Sequence, residues 1–362
     1  MTVVPTIHLE IGTHYMSARR LIASIGLVLC VAPTAMAQEL PDWVKRTTIS
    51  GLAFGDAYLM AQNADTALEG ANGMWLRRFY LTLDSKLSKD FQFRVRFEGN
   101  NAGDFKTASR VTPYVKDLYL RYTTGDQQVF LGIISSPTWE LAEGHWGYRD
   151  VEKTPLDLQR LGSSRDFGIS AKGRFNKAGK VRYHVALGNG DDINNETDEG
   201  KKAMGALSVY PTKGLVLELY ADYDARPGDT DRANLQAFVG YSSTWGRIGG
   251  LAARQRRARN NARELELDIY SGYLVIKASK KVSLLGRFDL MDDPNPDAGR
   301  IPYLVFVPTA KSNLLMAGVD FALNERVHFI PNLQYVFYYG ATGTAARPES
   351  ELMLRATYSI TF

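Results

Sequence analysis

From residue 90 to 100 the chain reads D-F-Q-F-R-V-R-F-E-G-N. An extended strand with this order carries Phe91, Phe93, Val95 and Phe97 on one side and Gln92, Arg94, Arg96 and Glu98 on the other. The two-residue period returns in Phe79, Leu81 and Leu83 against Arg78, Tyr80 and Thr82, and in Val181, Tyr183, Val185 and Leu187 against Arg182 and His184. It returns again in Leu215, Leu217 and Leu219 against Glu218 and Tyr220, and in Leu352, Leu354, Ala356, Tyr358, Ile360 and Phe362 against Glu351, Arg355, Thr357, Ser359 and Thr361. Strands of soluble sandwiches are usually about five or six residues long. These run roughly nine to fourteen, the length a tilted strand needs to cross a bilayer.

About sixteen such runs fit between residues 49 and 362, an even number that returns both ends of the sheet to one side of a closed barrel. Short connections at 85–89, 124–127, 176–179, 211–214, 245–246, 279–281 and 324–325 alternate with longer ones at 61–72, 101–113, 135–164, 189–200, 225–230, 257–263, 292–310 and 340–348. Short inner turns and longer outer loops have this layout. The expected fold is an all-β transmembrane antiparallel barrel of about sixteen strands over residues 47–362, one domain after a short segment at 38–46.

Arg19 and Arg20 precede an apolar run at 21–32, which ends in Ala35-Met36-Ala37 before Gln38, so residues 1–37 read as an export signal with Met16 as the expected start. Cys30 is the single cysteine and lies inside that run, after Leu29, where lipoprotein processing wants a small residue. The exported part would then have no thiol and no disulfide framework. Beyond Ala37 no apolar run approaches the roughly 18 to 20 residues of a spanning helix. The chain is 45% hydrophobic and 11% aromatic, too apolar to stay disordered. Its formal charge of +4, about +3 without Arg19, Arg20 and Glu10, gives no reason to expect nucleic acid as a partner.

An arginine facing lipid near the bilayer midplane costs roughly 2 to 4 kcal/mol. The rule turns Arg78, Arg94, Arg96, Arg121, Lys172, Arg174, Arg182, Arg287 and Arg355 into the lumen, with Asp117, Glu218, Asp222, Glu264, Glu266, Asp268, Asp289 and Asp320. Charges so numerous exclude a packed apolar interior. Tyr122, Tyr183, Tyr223, Tyr241, Tyr273, Tyr335, Tyr358 and Phe362 take the outward parity, several at strand ends like aromatic girdles.

The connection at 135–164 is the longest and holds Glu140, Glu143, Asp150, Glu152 and Asp157. A barrel this wide leaves a lumen that wall side chains do not fill, so this loop is expected to fold inward. Its acids facing Arg78, Arg94, Arg96 and Arg121 would set a transverse field across a constriction. The alternative is an outer lid whose charges meet only water. Arg254, Arg256, Arg257, Arg259 and Arg263 cluster near an outer hairpin tip, where lipid phosphates, an anion-attracting vestibule or plain solvation would all accept them. The acidic loop at 188–200 fits a calcium loop poorly: counted from Asp192, position six is Thr197 and position twelve is Ala203. His145, His184 and His328 are too far apart for a local metal site, and no G-x-S-x-G, H-E-x-x-H or phosphate-binding loop is present. No cofactor is expected.

The stretch W-L-R-R-F-Y-L-T-L-D-S-K-L-S-K-D-F-Q-F-R-V-R-F-E-G from residue 75, D-L-Y-L-R-Y from 117 and V-F-L-G-I-I-S-S-P from 129 together resemble the phosphate-selective porin O and P family. The motif-level match is confined to about residues 75–168. The resemblance implies a sixteen-stranded homotrimeric porin of the Gram-negative outer membrane, with the third loop constricting the pore and Arg78, Arg94, Arg96 and Arg121 as a ladder-like row. It also implies lysines at the constriction, where this chain offers only Lys153 in the third loop and none in the fifth, A-R-P-G-D-T. The expectation is therefore passive diffusion of small hydrophilic solutes and ions, with a phosphate- or anion-selective pore as the alternative. The closing A-T-Y-S-I-T-F resembles the signal read by the barrel-assembly machinery, which makes that machinery a partner through Phe362, beside outer-membrane lipid and lipopolysaccharide. A lipid-modifying barrel enzyme would join a serine, a histidine and an acid at the outer rim. His145 shares its loop with Ser135 and Ser136 but has no evident third partner, and a non-conducting structural barrel completes the set of rivals.

Overall fold

The structure, a computed structural model, describes residues 41–175, 177–190, 192–341 and 346–362. The expected export signal with its start at Met16, Cys30, and residues 38–40 lie outside them. A short helix, α1 (Asp42–Lys45), belongs to a separate unit, and the barrel occupies residues 46–362.

The barrel strands are β1 (Thr47–Gln62), β2 (Asn72–Lys86), β3 (Phe91–Asn100), β4 (Thr112–Thr124), β5 (Gln127–Ser135), β6 (Arg165–Arg174), β7 (Val181–Gly188) and β8 (Lys201–Val209). The second half holds β9 (Leu215–Ala225), β10 (Arg232–Ser243), β11 (Gly246–Arg259), β12 (Ala262–Lys277), β13 (Val282–Met291), β14 (Ala310–Ala322), β15 (Val327–Ala341) and β16 (Glu351–Thr361). Every strand pairs antiparallel with its sequence neighbours, and β1 pairs with β16 to close the sheet. Closure removes the unpaired edges that an open sheet would present to lipid. At the seam Phe362 covers bare backbone: a Cβ on Gly51 would lie 2.0 Å from its ring.

The alternation places the oily face outside as expected. Phe91, Phe97, Leu131, Leu219, Phe288 and Leu354 are exposed, while Arg94, Asp117, Glu218 and Arg355 point inward.

Three features differ from the sequence reading. The sixth long connection is a turn of residues 260–261, because β11 and β12 continue to its tip, and Asn261 takes the left-handed φ of 53° that asparagine tolerates. On β12 the parity is reversed: Glu264, Glu266 and Asp268 face outward with Tyr270 and Leu274, whereas Tyr273, expected in the girdle, is buried inside with Leu267, Ile269 and Val275. The outward charges neutralise one another, Arg254 Nη2 lying 2.6 Å from Asp268 and Arg256 Nε 3.1 Å from Glu266. They also stand above the last rung joining β12 to β13, Ile269 opposite Met291, near the rim rather than the midplane.

The third difference explains the second, because the interior does contain packed apolar layers. The third loop, residues 136–164, folds into the barrel and lays Trp139, Trp146, Val151, Leu156 and Leu161 against Phe238, Leu251, Leu267, Ile269 and Leu285 of the β10–β13 wall. The seventh connection, 292–309, also turns inward, with Ile301, Leu304 and Phe306 buried against Leu314, Val336 and Met353. One side of the lumen is thus filled with apolar side chains, and the other keeps its charges.

Candidate functional site

The loop that narrows the lumen is built on α2 (Pro137–Trp146) and α3 (Pro155–Leu158). Pro137 and Pro155 start the two helices, where a proline costs no hydrogen bond. Gly147 ends α2 with a φ of 69°, and a Cβ there would meet Arg247 Nη2 at 2.5 Å.

Wall side chains hold the loop by its backbone. Arg247 donates to the Trp146 carbonyl from Nε and Nη2 at 3.1 and 2.9 Å, Arg77 to the Val151 carbonyl at 3.0 Å, and Arg287 to the Lys153 carbonyl at 2.5 Å. Asn234 donates to the Leu161 carbonyl at 3.1 Å. Two of the clamping arginines are themselves neutralised, Arg77 by Asp56 at 2.7 Å and Arg287 by Asp289 at 2.5 Å, while Arg247 lies over the Tyr148 ring. Buried guanidinium groups with carboxylate and carbonyl partners fix a loop without leaving bare charge in the interior.

Two main cavities stand in the lumen among the described residues. One, of about 820 Å³, opens toward the short turns and is lined by Arg94, Arg96, Arg121, Arg165 and Asp150 among others. The second, of about 650 Å³, opens toward the long connections and is lined by Arg78, Lys116, Asp157 and Arg232 among others. Arg149, on the third loop, lines both. Cations outnumber carboxylates in each lining, seven to five in the first and nine to five in the second.

The six wall cations expected from the sequence divide into two groups. Arg78 lies 2.8 Å from Glu98, Arg94 grips Asp84 through two bonds of 2.8 and 2.7 Å, Arg96 pairs with Asp117 at 3.4 Å, and Arg121 bonds the Gln92 side chain; all four line the main cavities. Arg174 and Arg182 instead line a side chamber of about 540 Å³ at the short-turn end, with Arg182 stacked 4.5 Å from the Tyr210 ring centre.

The loop acids are also distributed. Glu140 is tied to the wall by Lys172 at 2.5 Å and His184 at 3.4 Å; Glu143 lies 3.2 Å from Arg149; Asp150 lines the short-turn cavity; Asp157 pairs with Lys153 at 3.6 Å and lines the other. Glu152 lines neither, being buried 3.3 Å from Arg355. Burial pushes the Glu143 carboxyl above its ordinary range although Arg149 pulls the other way. Burial likewise lowers Lys153 against the pull of Asp157.

Four cations escape a strict two-residue reading. Arg77 is the extra residue of a bulge where Phe54 pairs with Arg78 and Gly55 with Leu76, so Arg77 and Arg78 both point inward. Lys116 is the extra residue between Asp117 and Val115 opposite β3, and reaches Glu98 at 3.3 Å. Arg149 and Arg165 come from the loop and its exit, Arg165 meeting Asp117 at 2.5 Å. His145 does not approach Ser135 or Ser136 as partner; its ring nitrogens contact the Tyr273 hydroxyl at 2.5 Å and Ser242 Oγ at 3.1 Å.

No family model matches the sequence, and no curated protein is similar to it. Solved structures share the fold. The anion-selective porin from Comamonas acidovorans superposes with a TM-score of 0.64 at 17% identity, covering 87% of this chain and 99% of that one. OmpF of Salmonella typhi, in complex with daunomycin, gives 0.63 at 9% identity over 87% and 97%. OmpT of Vibrio cholerae, folded in vitro in its trimer form, gives 0.58 at 10% identity over 87% and 99%. The chain therefore has the fold of these outer-membrane proteins, a closed barrel of sixteen antiparallel strands.

Proposed function

We propose that this protein is a Gram-negative outer-membrane porin, passing small hydrophilic solutes and ions by passive diffusion with a preference for anions. The observation that carries this reading is the pair of cation-rich cavities whose linings share Arg149, inside a barrel whose outer face is apolar. Fixed positive charge along a narrow aqueous path concentrates anions and repels cations. The anion-selective porin with the same fold supports the sign of the selectivity.

In this reading the long connections face outward and the short turns the periplasm. Residues 1–37 export the chain, Phe362 addresses it to the barrel-assembly machinery, lipopolysaccharide and lipid surround it, and three copies assemble. Strict phosphate selectivity is the narrower form of the proposal; the arginines favour it, and the single loop lysine, buried beside Asp157, does not.

Planar-bilayer recording of the purified protein tests the reading. Discrete channels with a reversal potential of anionic sign in a potassium chloride gradient are expected. A cationic sign removes the anion preference, and absence of channels removes the pore.

A further inference from the structure

The cavity at the long-connection end contains an arrangement that a simple water path does not explain. Arg232 on β10 stands directly opposite Arg257 on β11, both on the inward parity, and like charges directly opposite in a sheet repel. Arg257 is 7% exposed. Its Nη1 is held by Asp297 at 2.7 Å and its Nε by Gln255 at 2.5 Å, but its Nη2 is buried with no hydrogen-bond partner. Arg232 has no carboxylate within ion-pair distance among the described residues. Asp224, its opposite number on β9, is engaged by Arg226 at 3.1 Å. Arg160, held by the third loop at a φ of 57°, lines the same cavity.

A fold can bury an orphaned guanidinium nitrogen beside a second, unpaired guanidinium most readily when an anion completes the pair. We infer that Arg232 and Arg257 form an anion subsite in the outer vestibule, taking a compact oxyanion with two negative charges. The planar forks of two arginines match the paired oxygens of a phosphate or a small dicarboxylate. This deepens the proposed pore function and rests on it for its role, a stopping place for anions before Arg149, but binding itself requires no current.

Calorimetric titration of the whole protein in detergent with inorganic phosphate, and separately with succinate, tests the subsite. Saturable binding of either is expected, and the stronger of the two identifies the class. Arg232→Gln should weaken it by roughly tenfold, as loss of charge-assisted hydrogen bonds does. Arg232→Lys should retain part of the affinity, and Arg174→Gln, in the side chamber at the short-turn end, all of it. Retained heat-resistant migration on gels shows that each variant is folded. No saturable heat with either anion, or equal affinity in Arg232→Gln and the parent, overturns the inference. In bilayers the parent's chloride current should be interrupted by added phosphate, less so in Arg232→Gln. Channels without anion binding overturn the subsite alone; anion binding without channels leaves the subsite and removes the pore.

Discussion

Arg149, which lines both cavities, and Glu143, which lines the one at the short turns, face each other at 3.2 Å across a bend of the inward loop, so a cation and its counterion stand on one segment. The wall contributes other charges, of which three are paired with a neighbouring strand: Arg94 with Asp84, Arg78 with Glu98, Arg96 with Asp117. Where the two linings share a residue, Arg149, the charge comes from the loop.

Neutralising Arg149 as Arg149→Gln should cut the anion preference about fivefold, the effect of one unit charge near 4 Å in a water-like medium, about 1 kcal/mol. Reversal potentials in a salt gradient measure this. A variant with the parent's selectivity places the filter elsewhere.

Glu143 is pushed up by burial, so it takes a proton above the ordinary carboxylate range while Arg149 stays charged. Net positive charge at the constriction then rises as pH falls. Anion preference should grow on mild acidification, and Glu143→Gln should show the acid-side selectivity at every pH. A flat profile in the parent contradicts this assignment.

Arg77→Ala removes a loop clamp and leaves Asp56, fully buried, without its nearest cation. Breaking such a pair costs about 3–5 kcal/mol. Thermal unfolding of the variant in detergent should come at lower temperature, and single-channel noise should increase as the loop loosens.

Leu267 and Glu266 are neighbours on β12 with opposite fates, one buried under the loop and the other facing outward. Leu267→Ala should cost about 2–5 kcal/mol through the cavity it leaves. Glu266→Gln should change neither conductance nor its pH dependence. The reverse pattern in recordings and melting curves returns Glu266 to the lumen.

The barrel was legible because one rule runs along most of the wall: Phe91, Phe93, Val95 and Phe97 share the outward face of their strand and the charges between them take the other. The rule failed on β12, where Leu267 and Ile269 also needed burial and found it against Trp146 and Val151 inside. Alternation alone does not say which oily face meets lipid and which meets an inward loop. Bulges at Arg77 and Lys116 add a residue without disturbing composition, so a period of two hides them. The inward seventh connection did carry a signal: I-P-Y-L-V-F-V-P at 301–308 is too apolar for a segment exposed to water. Nothing in the run Glu143 to Glu152 singles out Arg149, whose place depends on clamps from strands far away in sequence.

The most direct measurement places a single thiol at the junction. The chain's one native cysteine, Cys30, lies in the segment expected to be removed on export, so Arg149→Cys offers a unique target in the barrel. In a planar bilayer, a small charged thiosulfonate added from either side should react with it and step the conductance down, while Leu219→Cys on the outer face gives no step. If the reagent leaves the Arg149→Cys current unchanged from both sides, ions do not pass this residue and the proposed path is wrong.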